Sequence, residues 1–304
     1  MFTPSARAIV TATKSTFLNK RTYTSSTTSL AYWTVPAGIT KIYVKAWGGG
    51  GALNPNASDS NVKGGGGGFI SGYCSVIPGQ IIAIYYGGTA TSILRTEDCS
   101  GCPGGTCTGN VDLSEGGWGC SVLIDVPSKL IVVGGGGGGY QNGTGVGTGG
   151  AGGGQDGQSG SGPGSQAGGG ATGSTGGAGG VGGGVGDASS GADFDNTSGG
   201  SIKYGGSPGA HPVCGDGGNP ELFYADEIFG GYGGGGAASG GGGSQAGGGG
   251  GSSISFGFTN VINTQGSGGT PANTSDSDFL GSSYSYGGIT SSRTGKPGYI
   301  IIRY

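Results

Sequence analysis

Between residues 30 and 133 the chain alternates short apolar runs with turn residues. Ala31–Pro36 (AYWTVP) and Thr40–Trp47 (TKIYVKAW) are rich in β-branched and aromatic side chains and are split by Ala37-Gly38. In the second run Ile42, Val44 and Ala46 alternate with Tyr43, Lys45 and Trp47, the period of two expected of a strand with one buried face. Phe69–Ile77, Gln80–Tyr86, Ser121–Val126 and Lys129–Val133 predict further strands, with Pro78-Gly79 and Pro127-Ser128 as turns between them. Helix signals are absent. A last apolar run, Gly298–Tyr304 (GYIIIRY), follows a long glycine-rich stretch. A strand in that position needs a sheet to join, so the glycine-rich part predicts an excursion out of a β-module and back. Residues 1–29 are polar, rich in Ser and Thr and without a sustained apolar period, and predict an arm that docks elsewhere or stays mobile.

Glycine changes this picture more than any other residue. There are 84 glycines among 304 residues, and 54 of the 118 residues from Gly134 to Gly251 are glycine, in runs broken by short polar or mixed inserts. Such a composition permits a flexible linker. Isolated apolar and aromatic residues in the inserts, the length of the stretch and the closing strand argue against that. The ordered alternative is polyproline II geometry, three residues per turn at about 3.1 Å each, with no internal hydrogen bonds. Only segments lacking Cβ can lie close enough side by side to pair their N–H and C=O groups with one another. Ordering costs roughly 1–2 kcal/mol per residue, so only a many-segment, collectively bonded bundle offsets it. Collagen needs glycine at every third position and abundant proline, and neither holds here. The expected fold is an all-β module, sandwich or jelly-roll-like, with an inserted polyglycine II helix bundle and essentially no α-helix. Its parts are an arm (1–29), the β-module (30–133, completed by 298–304) and the glycine-rich bundle with tip inserts (134–297).

Charge adds a constraint on partners. The formal net charge is −3, but six bases and no acid lie before Asp59, whereas eight acids and one base, Lys203, lie between Gly134 and Gly251. An acidic, base-poor body does not track a phosphate backbone, so nucleic acid is not an expected partner. No run approaches the ~20 apolar residues of a membrane-spanning helix. The N-terminal residues lack the apolar stretch and cleavage site of a secretory signal and fit a transit peptide only loosely. A virion or phage particle is a route to the exterior that needs no such signal.

The order WTVPAGITKIYVKAWGGGG (33–51), GGGGGFISGY (64–73), VIPGQIIAIYYGG (76–88), LIVVGGGGGG (130–139) and GKPGYIIIRY (295–304) resembles the glycine-rich domain of phage tail-fibre and adhesin tips. A similar domain occurs in the ectodomain of anaplastic lymphoma kinase-type receptors. The resemblance spans residues 30–304. It implies a β-module from which loops emerge as packed polyglycine II helices, and a binding or architectural role rather than catalysis. The chain departs from those relatives in lacking a kinase and a fibre shaft, and in a cysteine-bearing insert at 99–120.

Candidate chemistry is sparse. Cys99, Cys102, Cys107 and Cys120 form C-x2-C-x4-C-x12-C, with Cys74 and Cys214 apart. One CxxC with irregular followers is a poor zinc match, and the even count and loop-like context favour disulfides among these six over free buried thiols. The single histidine, His211, lies in GAHPVCG, a loop context unsuited to a catalytic base. GxGxxG matches arise by chance in such a composition, and Pro297 stands where a P-loop needs Ser or Thr. No catalytic residue, metal or cofactor is expected. Asn-x-Ser/Thr sequons begin at Asn56, Asn142, Asn196 and Asn273, of the kind that chance supplies in a chain rich in these residues. The insert 202–232 concentrates Tyr204, His211, Phe223, Tyr224, Phe229 and Tyr232. Aromatic residues on loops between rigid elements contact a neighbouring subunit or stack on sugar rings; the alternative is that they plug the bundle or cover the β-module.

These readings order the functions. The first is a non-catalytic structural protein of a virion surface or extracellular filament, partnered by other structural subunits. The second is an adhesin recognising a cell-surface glycan or protein receptor. An ice-binding role ranks third, because the inserts at 186–198 and 202–232 interrupt a flat surface.

Overall fold

The computed structural model describes residues 17–26, 29–54, 56–90, 92–95, 111–114, 116–117, 119–125, 128–142, 145–162, 166–175, 177–178, 180, 188, 190–191, 221–223, 227–231, 233–243 and 246–304. Among these residues there is no helix. The strands are β1 (Lys20–Thr24), β2 (Ser29–Thr34), β3 (Lys41–Trp47), β4 (Phe69–Ser75), β5 (Ile81–Tyr86), β6 (Ser92–Arg95), β7 (Val111–Ser114) and β8 (Cys120–Asp125). They continue with β9 (Lys129–Val133), β10 (Tyr140–Asn142), β11 (Gly145–Gly147), β12 (Glu221–Phe223), β13 (Glu227–Gly231), β14 (Ile254–Phe256), β15 (Thr259–Thr264) and β16 (Tyr299–Arg303).

Two five-stranded antiparallel sheets form a sandwich. The first has the order β1-β16-β3-β4-β15 and the second β14-β9-β8-β5-β2. Period-two alternation explains the core between them. Ile42, Val44 and Ala46 of β3 and Ile300 and Ile302 of β16 point inward. They meet Trp33 of β2, Ile82 and Ile84 of β5, Val122 and Ile124 of β8, and Ile131 and Val133 of β9. Each such side chain contributes about 1.5–3 kcal/mol when removed fully from water. The C-terminal run lies between β1 and β3, with Ile300 paired to Ala46 and Ile302 to Val44.

Each strand predicted in the β-module appears within a residue or two of its expected bounds, and three features differ. β1 lies inside the expected arm: Lys20–Thr24 pairs with β16, Lys20 opposite Arg303 and Thr24 opposite Tyr299. Its polar sequence suits an edge strand with an exposed side, which a search for apolar runs does not register. β14 and β15 lie inside the expected glycine-rich region, yet complete one sheet each. Gly257, at φ +67°, turns the chain from one sheet to the other between them. Finally, the second half of β3 is buried on both faces, with Trp47 and Lys45 enclosed. Residues 272–285 lie across the outside of the first sheet, where the Trp47 Nε1–H donates to the Ala272 carbonyl at 3.1 Å. The Trp47 ring stacks on Tyr299 at 4.6 Å.

Cys74 and Cys120 are free, buried thiols, which corrects the expectation that they join disulfides. Both belong to the apolar core between the sheets. Burial pushes the Cys120 thiol up to about 12, against a weaker opposing hydrogen bond to the Gly87 backbone. The Cys74 thiol is raised by the same burial, with the nearby Lys129 charge opposing it. Cys99, Cys102, Cys107 and Cys214 lie outside the described residues.

Candidate functional site

The glycine segments between the strands form one hydrogen-bonded body, and its order is clearest around residues 246–253. The N–H groups of Gly247, Gly248 and Gly249 donate to the carbonyls of Ser161, Gly138 and Gly241. The next three, Gly250, Gly251 and Ser252, donate to Gln158, Gly135 and Ala238, which are the same three segments three residues away. The carbonyls repeat the pattern. Those of Gly247, Gly248 and Gly249 accept from Gly168, Gly150 and Gly234, and those of Gly250, Gly251 and Ser252 from Ala171, Gly153 and Ala237. The segment therefore meets six neighbours, each at every third residue, through bonds of 2.8–3.0 Å.

Residues 134–139 follow the same rule. Gly136 and Gly139 donate to Gly49 and Ala52, while the Gly134 and Gly137 carbonyls accept from Gly68 and Gly65. Runs that read as linkers between β3 and β4 thus share one array with the long glycine-rich region. Side chains are excluded by backbone rather than by other side chains. A Cβ on Gly249 would overlap the carbonyl of Gly169, on Gly250 that of Ala151, and on Gly251 that of Gly235. Where the array meets the sandwich, Ser253 Oγ accepts from the Gly134 N–H at 3.0 Å. Ser252 Oγ accepts from the Ala238 N–H at 3.0 Å and donates to the Gly173 carbonyl at 2.6 Å.

A charged cluster fastens the segment over the first sheet. Asp278, with its side chain 1% exposed, accepts from Arg303 Nε at 2.8 Å and Nη2 at 2.6 Å, and from Lys45 Nζ at 3.0 Å. Lys20 Nζ approaches it at 3.4 Å. Lys45 Nζ also donates to both Asp276 oxygens, at 2.6 and 2.8 Å. Burial acts to raise the Asp278 carboxyl, but the hydrogen bonds and charges of Arg303 and Lys45 outweigh it and hold the group well below the usual carboxylate range. Burial likewise acts to lower the Lys45 ammonium, and its bonds to Asp276 and Asp278 raise it overall. The cluster is a closed set of ion pairs that clamps a loop.

Beside it, Tyr43 and Tyr73 stack at 4.5 Å, with Phe17 at 6.5 and 5.9 Å from them and Lys41 Nζ 4.7 Å from the Tyr73 ring centre. Two depressions open on the surface. One of about 530 Å³ is lined by Gln155, Gly173, Ser174, Ser253, Ile254, Ser255 and Asn263, which offer neutral hydrogen-bonding groups and one apolar side chain. The other, about 310 Å³, contains Thr24, Ser25, Ser26, Thr89, Ser283, Tyr284, Lys296 and Pro297. Among the described residues no three His, Cys, Asp or Glu side chains converge as metal ligands would, and no helix is long and apolar enough to cross a membrane.

Of the six aromatic insert residues, the structure places the backbones of two. Phe223 ends β12 opposite Glu227, and Phe229 lies in β13 opposite Glu221. This hairpin joins β7 in parallel, in the small sheet β12-β13-β7-β6. Tyr204, His211, Tyr224 and Tyr232 lie outside the described residues. Sequence reasoning missed Asp276 and Asp278, whose partners are more than 230 residues away at Lys45 and only 25 at Arg303. A Ser/Asp/Asn cluster after a glycine-rich region carries no local signal of that pairing.

No protein-family model matches the chain, and comparison with curated proteins found no similar one.

Proposed function

We propose that this protein is a non-catalytic structural component of a virion surface or extracellular filament, in which the β-sandwich packs and a rigid glycine body is displayed. The observation that carries the reading is the six-neighbour, every-third-residue hydrogen bonding around residues 246–252. Three residues per turn with all polar groups directed outward is polyproline II geometry, and we read these segments as a polyglycine II bundle. Such a body gives stiffness without a large apolar core, because its interior is backbone that pairs as a sheet does. The resemblance to glycine-rich tips of fibres and adhesins supports the same role.

Density-gradient fractionation of the source material with quantitative mass spectrometry tests the proposal. A fixed copy number relative to particle or filament proteins is expected. Recovery only in the soluble fraction, at no constant ratio to any assembly, would overturn it. A second reading, an adhesin binding a cell-surface glycan or protein, is supported by the separate hairpin β12–β13 carrying Phe223 and Phe229. It predicts saturable binding to cells that deletion of residues 202–232 abolishes.

A further inference from the structure

Four strands bound the two sandwich sheets: β1 and β15 in the first, β14 and β2 in the second. An open edge invites another strand, and proteins guard such edges with charge, bulges or brevity. β1 carries Lys20 and Arg21. β15 is interrupted by a register shift between Thr259 and Ile262, where Asn260 takes φ +50°. β14 has only three residues. β2, Ser-Leu-Ala-Tyr-Trp-Thr, has none of these guards: six residues, no charge, no proline, and an unbroken register against β5 from Ser29–Tyr86 to Thr34–Ile81. Among the described residues no strand pairs with its other side.

The backbone parity shows which groups that side presents. The Val35 N–H donates to Gln80 at 2.9 Å, continuing the β2–β5 register. Antiparallel ladders alternate, so Trp33, Ala31 and Ser29 face β5 like Val35, while Leu30, Tyr32 and Thr34 turn their N–H and C=O to the open edge. The side chains on the outer face of the sheet belong to these same residues. Tyr32 is 69% exposed, Leu30 43%, and Ile81, opposite Thr34, 62%. Together they expose on the order of 400 Å² of uncharged surface, within the range of the largest apolar patches on monomeric proteins.

We propose that β2 is the dimerisation strand of this protein, pairing antiparallel with β2 of a second copy about a two-fold axis at Tyr32. The strand is self-complementary. The open groups on Leu30, Tyr32 and Thr34 are centred on Tyr32, so the pairing sets Tyr32 against Tyr32 and Leu30 against Thr34, each pair exchanging two backbone bonds. Two five-stranded sheets become one continuous ten-stranded sheet. The neutral strand offers nothing to a charged partner. The guarded β1, β14 and β15 stop further addition, so the assembly closes as a dimer. Pairing at a strand edge leaves much of the outer face in water and buries less than the ~800 Å² each partner of a standard interface buries, so the dimer is weak and concentration-dependent. This proposal concerns the sandwich edge alone and does not depend on the display role.

Sedimentation velocity of the full-length protein from ~1 to ~100 µM tests it. A reversible monomer–dimer equilibrium is expected. Tyr32→Lys and, separately, Tyr32→Pro, which removes an N–H pointing away from β5, should each raise the dissociation constant at least tenfold at unchanged melting temperature. Amide exchange gives a readout that needs no variant: the Leu30, Tyr32 and Thr34 amides become slower with rising concentration, and those of Lys20–Thr24 do not. A monomer at 100 µM, a dimer that Tyr32→Lys leaves intact, or edge amides indifferent to concentration would each overturn the proposal. A monomer that pairs only with a different protein counts against it as well.

Discussion

Replacing Gly249 by alanine adds one methyl group at the centre of the array. The new Cβ would overlap the Gly169 carbonyl and lie 2.8 Å from the Gly170 nitrogen, and neither is a side chain that can swing away. Gly169 is itself held, donating to Ala178 at 2.7 Å and accepting from Gly241 at 2.9 Å. Relief needs the 168–171 segment to move about 1 Å away from residues 247–250, which breaks the bonds from the Gly168 N–H to Gly247 and from the Ala171 N–H to Gly250. Two lost bonds amount to about 1–3 kcal/mol, and forcing a methyl into a packed interior costs typically 1–3 kcal/mol more. The reduced freedom of the unfolded chain returns about 0.4–1 kcal/mol. The expected net loss is about 3 kcal/mol, or a melting temperature lower by about 5 °C. Gly72→Ala in β4 is the control. Its Cβ would meet only the side chains of Phe258 and Val261, at 3.2–3.3 Å, and alanine suits a strand better than glycine. Differential scanning calorimetry of both variants decides the matter. If Gly249→Ala melts within 2 °C of Gly72→Ala and of the parent chain, the array is loose enough to admit a side chain, and the reasoning fails.

Asp278→Asn removes the anion shared by Lys45, Arg303 and Lys20 and should destabilise the fold by about 3 kcal/mol, measured by chemical denaturation. Because the Asp278 carboxyl is depressed in the fold, its contribution is complete above the unfolded value of about 3.9 and is lost as pH falls further. The gap between parent and variant should therefore be flat from pH 8 to 5 and narrow below pH 4, and a gap closing at pH 6 would refute the assignment. The raised Lys45 ammonium works in the opposite sense, with its contribution present below about 10.4 and lost as pH rises beyond that. Cys74 and Cys120 should resist iodoacetamide in the native protein at pH 8 and be alkylated fully in denaturant, read by peptide mass spectrometry; native labelling of Cys120 would contradict its burial. Gly298→Ala should destabilise by about 1–3 kcal/mol, since its Cβ would lie 2.5 Å from Cys120 Sγ and 2.6 Å from the Trp47 carbonyl.

The sandwich was legible wherever one strand carried its own alternation. Ile42-Val44-Ala46 and the Ile300–Ile302 run announce a buried face without reference to any other residue. β1, β14 and β15 were not, because their residues are polar or mixed and their order comes from the strand beside them: β16, β9 and β4. The array divides in the same way. A run such as Gly247–Gly251 declares that no side chain fits, but all glycines look alike, so nothing in it specifies that Gly248 meets Gly138 and Gly249 meets Gly241. The latch at Asp278 depends on chain return from residue 278 to residue 45, a distance that no local pattern spans.

Three-residue addressing has a consequence for how such a chain can change length. In a β-strand, slipping by one residue exchanges two faces. In this array, residues three apart bond the same neighbour, so adding or removing one residue hands every later N–H to a different neighbour. Adding or removing three restores each address and only lengthens or shortens the segment. Length variation within the buried runs is therefore tolerated in multiples of three, while loops outside the array are free of that count. The array keeps a reading frame, written in backbone rather than in codons.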